Sequence, residues 1–126
     1  MDKHEAGEQE IADALAGMRQ DYILVDELER MLATNNPPVV IDLRETVSCE
    51  EDHVISAAIN ISMENLVSEN LEKAIPDKST PVVLVCAHSF GMTRMIPLTT
   101  YAYPTLKLYG YRCVKVLTNP VEISIP

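Results

Sequence analysis

A single three-layer α/β/α domain around a five-stranded, mainly parallel sheet is the fold the sequence predicts. Three observations carry the prediction. Short apolar runs rich in β-branched residues, Val39-Val40-Ile41 and Val82 to Val85, read as strands buried on both faces, which points to a parallel sheet covered by helices. These runs alternate with stretches of helical apolar spacing, the pattern of βαβ units with right-handed crossovers. The chain has 126 residues, 47% of them apolar and 23% charged, which is the size of one domain and the composition of a folded one.

Taken in order, residues 1 to about 8 are expected to fray. Ile11, Leu15 and Met18 recur at helical spacing, so Glu8 to Gln20 is expected to be a helix on the edge of the core. Residues 1–20 are therefore assigned as an N-terminal extension and 21–126 as the domain proper. Tyr22 to Val25 reads as an edge strand. Asp26 is expected to cap the next helix, with Glu29 completing a capping box and Leu28, Met31 and Leu32 as the buried stripe. Asn35-Asn36-Pro37-Pro38 should stop it, through proline and a left-handed asparagine cap. The second strand, Val39 to Ile41, ends in Asp42-Leu43-Arg44-Glu45. A third strand is read within Ala57 to Ile61, and a helix over Glu64 to Ala74 carries Leu66, Val67 and Leu71, with Ile75 just past its end. Pro76 to Ser79 is a turn and Val82 to Val85 the fourth strand. Pro97 and Pro104 predict an extended loop or a broken helix over residues 94 to 109, with a helical turn from Pro104 to Leu108, Pro104 at its first position and Gly110 as its C-cap. Cys113 to Leu117 is the fifth strand, a buried one that an inert Cys113 begins.

The chemistry centres on Pro81 to Arg94, P-V-V-L-V-C-A-H-S-F-G-M-T-R. A buried strand here delivers Cys86 into a polar turn, at the sheet edge where ligands bind in such folds. Turn amides and a helix N-terminus hold negative charge and so favour a thiolate. The competing reading is an inert core cysteine at a strand end. His88 and Arg94 are candidates for steering an anion toward Cys86, against the plainer readings of a solvated loop residue and a helix-face charge. Met92, Met95, Ile96 and Leu98 form a stripe that packs or meets a partner.

Five pieces in order resemble the rhodanese-like domain family, spanning about residues 23 to 117: V-D-E-L-E-R-M-L, V-V-I-D-L-R-E, D-H-V-I-S-A-A-I-N-I-S, P-V-V-L-V-C and L-Y-G-Y-R-C-V-K-V-L. The resemblance implies a sulfurtransferase that takes sulfane sulfur from a small anionic donor onto Cys86 as a persulfide and passes it to a thiol acceptor. It implies that Ala87, His88, Ser89, Phe90, Gly91, Met92 and Arg94 bind the donor. Asp42, Arg44 and His53 are implied as structural groups near the site, Asp42 bonding loop backbone and Arg44 pairing with a carboxylate. No metal or other cofactor is implied. The chain departs from the family at several points. Arg94 lies eight positions after Cys86, where the family has an Arg or hydroxyl residue after four intervening ones. Asp52 and Ser56 replace glycines, and Thr118-Asn119-Pro120 stands where a Gly-Gly turn and a last helix bearing Trp are usual.

Other readings stay open. The altered loop suits a catalytically silent rhodanese-like module that docks a protein partner. A dual-specificity phosphatase needs five residues between Cys and Arg to clamp a phosphate, whereas seven intervene here. Cys49, His53, Cys86 and His88 would make a zinc set at unusual spacing, and Cys49 could resolve an oxidised Cys86. A net charge of −9 disfavours nucleic acid. No apolar run reaches the roughly 18 residues of a membrane span. The acidic start reads as no signal peptide, and three cysteines without framework spacing point to a reducing, cytoplasmic setting.

Overall fold

The computed structural model describes residues 8–45, 58–86 and 98–118. Within them five strands, β1 (Tyr22–Ile23), β2 (Val39–Asp42), β3 (Ile59–Asn60), β4 (Val82–Val85) and β5 (Val114–Leu117), form one all-parallel sheet in the order β1-β5-β4-β2-β3. The described helices are α1 (Glu8–Ala16), α2 (Val25–Leu32), α3 (Ser68–Ala74) and α4 (Thr99–Leu108). The apolar runs do what double-sided burial requires. Val82, Leu84, Ile41, Val114 and Val116 point into one core with residues of α3 and α4. Val83, Val85, Val40, Ile23 and Leu117 point into a second, where Leu28, Met31 and Leu32 of α2 cover them. The sheet thus has helices on both faces.

Several local expectations are corrected by tertiary geometry. The first helix stops at Ala16, and after Gly17 a 3₁₀ turn, Met18–Asp21, leads into β1. Far from lying at the margin, Met18 is buried in the larger core, with Leu15 packed against it. Val25 opens α2 rather than closing β1, so Leu24 is the N-cap and no side chain caps that end. The capping box does not form: Asp26 has moved into the first turn, where its carboxylate accepts the Glu27 N–H at 3.1 Å and faces the positive end of the helix. α2 ends at Ala33 in a right-handed conformation. Among the described residues only Gly110 has a positive φ, so the asparagines supply no left-handed cap.

The segment 63–74 splits into a 3₁₀ turn, Met63–Asn65, and α3. The Asn65 amide bonds the Ser62 hydroxyl, the Asn70 amide bonds the Asn65 carbonyl, and Val67 takes an extended conformation. That break turns Val67 out to solvent while Leu66, Leu71 and Ile75 remain buried.

α4 runs unbroken through Pro104. The missing N–H leaves the Thr100 carbonyl without its usual partner four residues on, and burial of Ala102, Tyr103, Pro104 and Leu106 outweighs that loss. The helix ends as expected at Gly110, φ +99°. Gly110 N–H donates to Lys107 C=O and Tyr111 N–H to Leu106 C=O, both at 3.1 Å, the Schellman pattern. Tyr111 then anchors the next turn by donating its hydroxyl to the Ile75 carbonyl at 2.7 Å inside the core. Cys113 is exposed and stands just before the strand it is expected to begin. β5 begins at Val114, and alternation puts Cys113 on the less buried side with Lys115. Among the described residues, no helix is long and apolar enough to cross a membrane.

Two outcomes follow from these contacts. Gly110→Ala should lower stability by about 1–2 kcal/mol in urea unfolding although open space surrounds the position, because the left-handed backbone itself is the constraint. The Tyr103 hydroxyl, buried and donating to the Asp21 carboxylate, resists ionisation, first through burial and then through that hydrogen bond and charge. Its folded pKa is raised above its unfolded value of about 10. The contribution is therefore fully present below pH ~10 and lost as pH rises beyond it. Stability measured from pH 8 to 11 should fall in the wild type and fall less in Tyr103→Phe.

Candidate active site

The carboxyl ends of three strands meet at one edge. Asp42 stands in register with Val85 on one side and Asn60 on the other, so the residues leaving β2, β3 and β4 emerge together. Leu43 N–H donates to the Val85 carbonyl at 2.9 Å and Ile61 N–H to the Asp42 carbonyl at 3.0 Å, extending both ladders past the strands. Cys86 is the next residue after β4. It falls on the face of Val82 and Leu84, toward α4, and is 2% exposed.

Asp42 and Arg44 form the polar group beside it. The Asp42 carboxylate accepts the backbone N–H of Arg44 at 3.0 Å, Arg44 Nε at 3.0 Å on each oxygen, and Nη2 at 2.7 Å. The Asp42 side chain is 3% exposed and the Arg44 side chain 19%, so the pair is shielded while the guanidinium keeps a path to water. Strand alternation carries Asp42 to the face of Val40 and Val85, opposite that of Cys86. The pair therefore shapes the edge from which Cys86 emerges, from the other side of the sheet.

Sequence reasoning gave Asn60 no role. Its amide donates to both the Asp42 carbonyl, at 2.9 Å, and the Arg44 carbonyl, at 2.8 Å. One side chain thus ties β3 to the turn that holds the ion pair. The available signal was an amide inside the otherwise apolar run Ala58-Ile59-Asn60-Ile61. Ala87, His88, Ser89, Phe90, Gly91, Met92, Arg94, His53 and Cys49 lie outside the described residues, as do Met95, Ile96 and the segment where the family's last helix would stand. Leu98, last of the expected stripe, packs against the larger core. Among the described residues, no group of three or more His, Cys, Asp or Glu side chains is placed to hold a metal ion.

The profile of the rhodanese-like domain matches residues 24–119. The chain belongs to the rhodanese-like domain family. A solved structure with the same fold is the solution structure of the 30 kDa polysulfide-sulfur transferase homodimer from Wolinella succinogenes. It is 19% identical, with a TM-score of 0.58 over 91% of this chain and 78% of that one, a likeness of fold. No curated protein sequence matches the chain significantly. In this rhodanese-like domain the match covers every strand but β1, together with α2, α3 and α4, while α1 and the 3₁₀ turn precede it.

Asn60→Ala should lower stability by about 0.5–1.5 kcal/mol, because it takes a donor from two carbonyls at the strand ends. Urea unfolding would measure it, and hydrogen exchange at residues 43 and 44 should rise more than at the centre of β4.

Proposed function

We propose that this rhodanese-like domain is a sulfurtransferase that carries sulfane sulfur as a persulfide on Cys86. The observation that carries the reading is the place of Cys86, directly after the central strand β4 at the carboxyl edge of a parallel sheet, within the family match. The Cys86 thiolate attacks the outer sulfur of a donor such as thiosulfate. A new S–S bond forms, the donor's S–S bond breaks, and sulfite leaves with the electron pair. The Cys86 persulfide is then attacked at its terminal sulfur by an acceptor thiolate, which takes that sulfur and returns Cys86 as thiolate. The reading gives Ala87, His88, Ser89, Phe90, Gly91, Met92 and Arg94 the task of holding the anionic donor. It gives Asp42, Arg44 and His53 a structural task around it. The related fold from Wolinella succinogenes is a polysulfide-sulfur transferase, which makes polysulfide a second donor to assay. A reducing compartment such as the cytoplasm suits a persulfide carrier.

A second reading rests on the burial of Cys86: a thiol 2% exposed and packed among apolar side chains suits a silent module that docks a protein partner.

The test is sulfur transfer from thiosulfate and from polysulfide to cyanide, with wild type and Cys86→Ser. Turnover lost at least a thousandfold in Cys86→Ser, together with a mass gain of one sulfur atom on the wild-type Cys86 peptide, is the expected result. A folded wild type that turns over neither donor overturns the sulfurtransferase reading in favour of docking.

A further inference from the structure

Residues 8–21 lie before the family match, yet they are built into the core that contains Cys86. Met18 is 8% exposed and shares one apolar cluster with Tyr103, Leu106 and Cys86, and Leu15 packs against that cluster. α1 lies along α4, and the 3₁₀ turn lies against β5. A polar latch completes the attachment. The Tyr103 hydroxyl, on the fifth residue of α4, donates to the Asp21 carboxylate across 82 positions of sequence. The guanidinium of Arg19 lies 5.9 Å from the centre of the Tyr22 ring, where the turn enters β1. Lys107 Nζ sits 5.6 Å from the centre of the Tyr103 ring, on the same helix. The segment therefore packs beside α4 and is joined to it on the sheet face where the Cys86 side chain lies.

We infer that residues 8–21 form a strap that, by clamping α4 through the Asp21–Tyr103 hydrogen bond and Met18, governs access to Cys86. Cys86 is 2% exposed and belongs to the same buried cluster as Ala102, Tyr103 and Leu106 of α4. Release of the strap lets α4 lift as a unit and opens that face without unfolding the sheet, a sub-global opening of the kind that local stability permits. The latch is the weak point, because one hydrogen bond to a charged group joins two elements that are otherwise held by apolar packing. The significance for sulfur transfer rests on the persulfide reading. The strap itself is tested without it.

The experiment measures alkylation of Cys86 by iodoacetamide in the full chain, resolved by peptide mass, with exposed Cys113 as internal reference. Tyr103→Phe should raise the Cys86 rate relative to Cys113 by about ten- to a hundredfold, the change in opening expected when a charge-assisted hydrogen bond is lost. Exchange of α4 amides should rise with it, while amides of Val40 and Val83 hold. Tyr111→Phe is the control: it removes a buried hydrogen bond in the same core, to the Ile75 carbonyl, away from the strap. At matched global stability it should leave Cys86 at the wild-type rate. Asp21→Asn, which keeps an acceptor but drops the charge, should fall between wild type and Tyr103→Phe, and serves alone if Tyr103→Phe does not fold. Cys86 labelling that merely tracks global stability across all the variants overturns the strap. Because labelling uses no sulfur donor, a wild type inactive in sulfur transfer would sink the persulfide reading and leave this result standing.

Discussion

β4 is buried on both faces, and the rest of the molecule is arranged to make that possible. Its four side chains are each no more than 1% exposed and alternate between two cores. Burying a valine or leucine is worth about 1.5–3 kcal/mol, so a strand of this kind is stable only with a neighbour on each edge and a helix layer on each face. β2 and β5 supply the edges. α2 covers one face, and α1, α3 and α4 the other. Because all neighbours run parallel, the strands finish at a common edge, and the residue leaving the best-supported strand is Cys86.

The same constraint explains the polar architecture at that edge. Where the ladder ends, backbone groups need partners, and an unpaired buried carbonyl is costly. Asn60 gives two carbonyls a donor, and Asp42 takes a backbone N–H as well as a guanidinium. An ion pair so shielded adds little net stability over an apolar replacement, yet removing one partner is costly. Its worth lies in fixing where the chain turns. At the opposite edge, Tyr111 and the Gly110 cap do the same for the turn that enters β5.

How much of this was legible depended on how local each cause was. The β-branched runs announced β2 and β4 because burial on both faces leaves its mark on nearly every residue. Gly110 announced a helix end because a positive φ excludes almost everything else. Pro104 misled, since a missing N–H is a local penalty and the burial that overrides it comes from α1 and the sheet. Asp26 misled in a similar way: a two-residue shift in the start of α2 moved it from cap to first turn. Cys113 fell just outside β5 because only the pairing with β4, which begins at Val114, decides where the strand starts.

By itself, then, the sequence determined an α/β sheet with Cys86 at the end of a fully buried strand, because apolar period and length are properties of the chain alone. Tertiary structure decided that Asn60 would tie Asp42 to Arg44, that Met18 would enter the core, and that Asp21 would meet Tyr103. Those pairs bring together residues far apart in sequence, or side chains whose direction depends on strand register, and no local pattern encodes a partner across such a distance.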